Sequence, residues 1–190
     1  MSTSSTASTG STETLATALP AEGTGDLACA AATRLRKRVQ VDDAFGVTTT
    51  AYAAADVVDA KVTIPAVAIG NDGTGAIINA KLTLAQTMPA TVPQFVLHIF
   101  RDDPSASTFT DNGTLTVVEA DAKAKYVGAI MLSNYVTIAS DVHVFDSGNI
   151  SLEFLCGSGH DDLWGVLEIK TATTFAADEL QLAVIVEQDR

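Results

Sequence analysis

Three histidines and three adjacent pairs of acid or amide side chains are the residues of this chain with chemistry to offer. His98 and His143 sit among apolar neighbours in stretches that read as strands. Their spacing is not that of metal ligands on one element, and no thiol pair accompanies them. Each reads as a strand histidine that faces solvent or is satisfied by a neighbour. His160 lies beside Asp161 and Asp162 in a polar loop over residues 157–162. That trio could bind a metal ion or act as a base, though a solvated loop explains it as well. Asp102-Asp103, Asp111-Asn112 and Asp161-Asp162 raise the question of calcium, which takes about six to eight oxygens gathered by a tight loop. None follows the pattern of alternating acidic ligands closed by a glutamate, and Asp and Asn in turns bond their own backbone. There is no nucleophile elbow, no phosphate-binding loop ending in Lys-Ser/Thr and no dinucleotide fingerprint. Cys29 and Cys156 lie far apart and read as small buried hydrophobes rather than a disulfide. No catalytic, cofactor or metal residue is assigned, and no enzymatic activity is expected.

The 190 residues suffice for one domain plus an extra segment, and 47% of them are hydrophobic, enough for a sizeable core. The formal net charge is −12, which repels a phosphate backbone, so nucleic acid is not an expected partner. No apolar run reaches the length of a membrane span, so a membrane role is not expected either. The Ser/Thr-rich start lacks the basic and apolar parts of a secretory leader. The protein is therefore expected in the cytoplasm of the cell that makes it, until it joins something larger.

The first 32 or so residues are Ser, Thr, Ala and Gly with few large apolar side chains, a composition that cannot offset its own ordering entropy. An extended arm, flexible until bound, is expected over residues 1–45, and a folded domain over 46–190. Between them stands a basic cluster, Arg34, Arg36, Lys37 and Arg38, holding four of the eleven Lys and Arg residues of the chain. It reads either as a solvated charge run or as an electrostatic contact with an acidic partner surface.

From about Val47 the pattern turns to short alternating runs separated by Gly, Asn, Asp and Pro. Strands are expected over residues 57–64, 76–84, 94–100, 126–132, 136–145, 150–156, 163–170 and 180–187. One or two helical turns are expected over 118–125, a polar connection over 101–118, and a hairpin-type turn at Asp146-Ser147-Gly148-Asn149. In the last strand Leu180, Leu182, Val184 and Val186 point one way. With no helices alternating between strands, the pattern predicts an all-β, antiparallel β-sandwich, and the strand count suits a jelly roll.

Tyr52-Ala53-Ala54-Ala55-Asp56-Val57-Val58 is similar to a segment, often Tyr-Ala-Ala-Gly-Asp-Val-Val, that opens the folded part of certain tailed-bacteriophage proteins. This chain departs from it at Ala55. The strand Phe95-Val96-Leu97-His98-Ile99-Phe100 with the acidic loop after it, and the ending Leu182-Ala183-Val184-Ile185-Val186-Glu187-Gln188-Asp189, extend the resemblance over residues 52–189 but not the arm. The chain thus resembles the decoration, or cement, proteins of phage heads. The resemblance implies a structural virion protein on the capsid outer surface. It would be trimeric and clamp major capsid protein subunits with its arm; by their charge, Arg34, Arg36, Lys37 and Arg38 are the candidate capsid contacts. The alternative is a head-fibre or tail-associated module that binds glycans through loops 101–118 or 157–162. No catalytic residue is carried over.

Overall fold

A computed structural model of the protein describes residues 37–176 and 178–189. Arg34, Arg36, Cys29 and most of the expected arm lie outside these residues. The described chain runs β1 Lys37–Val47, β2 Val57–Ile64, β3 Thr74–Leu84, β4 Phe95–Phe100, α1 Glu119–Ala124, β5 Tyr126–Leu132, β6 Asn134–Ala139, β7 Val142–Asp146, β8 Leu152–Leu155, β9 Leu163–Ile169 and β10 Asp178–Gln188. The strands form two antiparallel sheets. The larger has the order β1-β10-β3-β7-β6 with β8 also on β3, and the smaller has the order β2-β9-β4-β5. The chain changes sheet repeatedly: β1 lies in the large sheet, β2 in the small, β3 in the large, β4 and β5 in the small, β6 to β8 in the large, β9 in the small and β10 in the large. The all-β sandwich expected from the alternation is what the chain forms.

The expected domain boundary moves. Residues 37–45, assigned above to the arm, belong to β1, which pairs with β10 over its whole length from Lys37↔Gln188 to Val47↔Asp178. Val41, Phe45 and Val47 of β1 are buried in the main core. Two local readings also change. The single strand expected over 136–145 is a hairpin, β6 and β7, which pair antiparallel as far as Ala139↔Val142. The turn expected at 146–149 does not reverse the chain, because β7 and β8 both run antiparallel to β3, one after the other. Between them the chain bows outward. Asn79 holds the bow, donating from Nδ2 to Asp146 Oδ1 at 3.0 Å and to the Gly148 carbonyl at 2.9 Å. Gly148, at φ 69°, takes the left-handed conformation the bow needs.

The core fills the space between the sheets, as two-layer sandwiches require. Inward residues of β10 (Leu180, Leu182, Val184, Val186) and β3 (Ile77, Ala80, Leu82, Leu84) meet Leu97, Ile99, Leu163 and Leu167 of the small sheet. Phe95 joins the layers, with its ring 5.1 Å from that of Phe145 and 6.2 Å from that of Phe175. A second apolar cluster lies on the other face of the small sheet, where Val57, Phe100 and Val166 pack under Phe109, Leu115, Val117 and Trp164. The connection over residues 101–118, expected to be polar, supplies three of those covering residues.

The short helix ties that connection down. Asp121 is fully buried and accepts from the backbone and hydroxyl of Ser107, both at 2.7 Å, while Lys125 Nζ lies 2.9 Å from its other oxygen. Burial alone would push the Asp121 carboxyl up. The hydrogen bonds from Lys125 and Ser107 outweigh it and hold the group below the ordinary range.

Two predictions test this architecture. Phe45→Ala should cost about 3–5 kcal/mol in urea unfolding, the range for an aromatic lost from a packed core; a loss under about 0.5 kcal/mol, the range of an uninvolved surface site, would return residues 37–45 to the arm. Asp121→Asn should cost about 1.5–3 kcal/mol at pH 7, as for hydrogen bonds to a charged group. A carboxylate with a lowered folded pKa stabilises above its unfolded value near 4 and stops doing so as pH falls through the folded one. As pH falls from about 4 through the lower folded value, denaturation curves of variant and native protein should therefore draw together.

Candidate interaction surface

Lys37 and Arg38 open β1 at an edge of the large sheet, and strand alternation turns them to opposite faces. Arg38 lies opposite Glu187 and donates from Nη2 to its Oε1 at 2.7 Å. With the arginine side chain 65% exposed, such a pair contributes only about 0–1 kcal/mol, so it orients Arg38 more than it stabilises the sheet. Beside it, the bow between β7 and β8 leaves a shallow depression of about 390 Å³, lined by Arg38, Lys81, Glu187, Asn79, Asn149 and Ile185 among others. Lys81 Nζ stands 3.9 Å from Asp146. The depression offers cations, a carboxylate and amides together, a mixed polar surface of the kind found at the rims of protein contacts. Of the basic cluster, then, the described residues place Lys37 and Arg38 at this edge.

The histidines take separate places. His98, on the outer face of β4, has both ring nitrogens engaged. Nε2 is 2.9 Å from Glu168 Oε2, Nδ1 is 3.1 Å from the Tyr126 hydroxyl, and Lys170 Nζ donates to Glu168 Oε1 at 2.8 Å. Burial would raise the Glu168 carboxyl; the bonds from Lys170 and His98 outweigh it and hold it below the usual range. His98 is thus a satisfied strand histidine, and sequence reasoning did not find its partners, since β9 and β5 supply them. His143 is buried in β7 with Nδ1 3.0 Å from the Thr137 hydroxyl. His160 packs edge-on to Trp164, ring centres 4.8 Å apart, and its nearest carboxylate is Asp102 at 3.5 Å rather than Asp161 or Asp162.

The acid pairs are engaged in shaping loops. Asp162 Oδ1 accepts from Ala66 N at 3.0 Å, and the Asp161 carbonyl accepts from Val67 and Ala68. Asp102 Oδ1 accepts from Asp103 N at 2.8 Å, and Asp103 pairs with Lys61. Among the described residues, no group of three His, Cys, Asp or Glu side chains is placed to hold a metal ion. Cys156 is a buried free thiol, which burial and the nearby Asp161 and Asp162 push up to about 11.

The segment over residues 52–58 is a closed structural unit. Tyr52 is buried; its hydroxyl donates to Asp111 Oδ1 at 2.7 Å, and its backbone exchanges bonds with Thr173 at 2.8 and 3.1 Å. Asp56 Oδ2 accepts from Ala53 N at 2.6 Å and closes the turn. Val58 enters the main core and Val57 the second cluster. Ala55 sits at φ 74°, in the left-handed region that glycine occupies without strain.

No protein family, curated protein or solved structure matches this chain.

The strain at Ala55 yields a prediction. A left-handed L-residue costs about 1–2 kcal/mol, and glycine gives back about 0.4–1 kcal/mol through the freer unfolded chain. Ala55→Gly should therefore raise unfolding stability by roughly 0.5–1 kcal/mol. A loss on substitution would mean that the turn is not left-handed.

Proposed function

We propose that the protein is a structural virion protein that binds the outside of a tailed-phage capsid and stabilises contacts between major capsid protein subunits. The observation that carries this reading is the strand order. With β6 and β8 set aside, β1-β10-β3-β7 faces β2-β9-β4-β5. We read that order as two interleaved Greek keys, which supports a jelly roll, the architecture that viral capsid domains share with lectins and cupins. The segment over residues 52–58 supports it further, because Tyr52, Asp56, Val57 and Val58 of the phage-like pattern each have a structural task there, and Ala55 stands in glycine's customary place.

In this reading the arm ends before β1, and two residues of the basic cluster, Lys37 and Arg38, open that strand. Arg34, Arg36 and Lys37 meet an acidic patch of the capsid, while Arg38 is held by Glu187. The site of action is the outer surface of the virion, after synthesis in the host cytoplasm, and the resemblance implies a trimer. The glycan-binding alternative draws less support. Phe109 of loop 101–118 is packed against the small sheet, and Trp164 of β9 is half-buried beside His160 of loop 157–162, so the aromatic faces a sugar would stack on are engaged within the protein.

Replacement of Arg34, Arg36 and Lys37 together by glutamate in the full chain should weaken co-sedimentation with shells of the phage's own major capsid protein by about tenfold or more, and should flatten its salt dependence. Binding that is unchanged by the three reversals would remove the basic cluster from the contact. A native chain that does not sediment with the shells at all would remove the capsid reading.

A further inference from the structure

β6 is the outermost strand of the large sheet, and all six of its residues are exposed. Val136 is 65% exposed, Ile138 69% and Tyr135 45%. One edge of the strand bonds to β7; along the other, no strand lies beside it among the described residues. Sheet edges are ordinarily defended by charged side chains, proline or a covering segment, because a bare edge pairs with whatever strand it meets. β6 reads Asn-Tyr-Val-Thr-Ile-Ala and carries neither charge nor proline; a single irregularity between Thr137 and Ala139 bends its far end.

We infer that β6 pairs antiparallel with β6 of a second copy of the chain about a two-fold axis, joining two large sheets edge to edge. Charge selects this occupant. Each chain carries a formal −12, so two copies repel over most of their surfaces, and they approach at least cost along a stretch with no charge. A partner that recognised this protein by its acidity would find nothing to read on β6. An antiparallel edge is also complementary to its own two-fold image, which makes the contact closed and self-limiting. Centred on Thr137, the axis sets Val136 opposite Ile138 of the second copy, and the same pair recurs by symmetry. It also brings Asp141 opposite Ser133 rather than opposite another carboxylate, avoiding the like-charge pairing that destabilises neighbouring strands.

The contact does not depend on the capsid reading, and it predicts a dimer where the phage resemblance implies a trimer. The test is light-scattering mass on the full chain over a dilution series, with hydrogen exchange of the β6 amides in the same samples. Native protein should show twice the chain mass when concentrated, fall to the single mass on dilution, and lose β6 protection in step. Val136→Lys with Ile138→Lys, both at exposed positions, should keep the native circular dichroism and give the single mass at every concentration. The inference is overturned if the native chain is monomeric throughout, or if the lysine variant keeps a dimeric or trimeric mass. β6 amides that stay protected in the monomer would also overturn it, and would assign the edge to another part of the same chain.

Discussion

The pairing of β10 with β1 on one side and β3 on the other is the interaction on which the rest of the sandwich rests. β10 contributes four alternate inward residues, Leu180, Leu182, Val184 and Val186, all buried, and among the described residues is the sole sheet partner of β1. Lys37 pairs with Gln188, so the first described strand is completed only by the last. Such long-range pairing must overcome the closure entropy of nearly the whole chain before its contacts repay it. The small sheet depends on it in turn, because β2 lies against β1, with Gly46 donating its N–H to Asp59 Oδ2 at 2.8 Å, and the shared core has no opposite wall without β10 and β3. The basic residues at the start of β1 owe their fixed position to the same pairing.

A second constraint explains how the chain uses its polar side chains. Covering the outer face of the small sheet with the 101–118 connection buries polar groups that must find partners. Asp121 accepts from Ser107 and faces Lys125, Asp111 accepts from Tyr52 and Asp59, and Glu168 takes both His98 and Lys170. Groups that would pass in the sequence for acid–base chemistry are engaged in fastening loops to the sheet. The same account covers His98, whose two nitrogens are both occupied, and the loop around His160, whose adjacent acids turn to backbone N–H groups or act through their carbonyls.

Legibility in the sequence followed the periodicity. β2 and β5 match the expected strands residue for residue, and the inward set of β10 is the one read from alternation, because each has one face on the core. β1 escaped notice because Asp43 interrupts the run Val39, Val41, Phe45, Val47. Asp43 is tolerated there at the sheet edge, where its Oδ1 accepts from Ala44 N at 2.8 Å. The hairpin of β6 and β7 was read as one strand because its turn, at Ser140-Asp141, has no glycine or asparagine to mark it. The bow at 146–149 carries every local mark of a turn, yet whether a turn reverses the chain is decided by what pairs on either side, here β3 for both β7 and β8. The setting of His98 was illegible for a related reason: His98 and Glu168 lie 70 residues apart and meet only through the register of β4 on β9. Of the proposed contact residues, Arg38 was visible as a charge, but its pairing with Glu187 follows only from the β1–β10 register.

The two edges of the large sheet are unlike in a way that bears on assembly. β1 and β6 stand four strand spacings apart in the order β1-β10-β3-β7-β6, about 19 Å at the usual interval. One edge begins with Lys37 and Arg38; the other is uncharged, with Val136 and Ile138 exposed on it. An acidic body is kept in solution by self-repulsion, which also opposes assembly unless particular surfaces are exempt from it. Here one edge is set apart by the two cations at its start, ahead of Asp42 and Asp43, and the other by carrying no charge. The first suits a partner that is itself acidic, and its hold should weaken as salt rises, since screening acts on exposed charges. The proposed pairing at the second would rely on backbone hydrogen bonds and apolar cover, which salt does not screen. Raising ionic strength would therefore separate the two proposed contacts: it would loosen attachment through β1 while relaxing the repulsion that opposes pairing through β6.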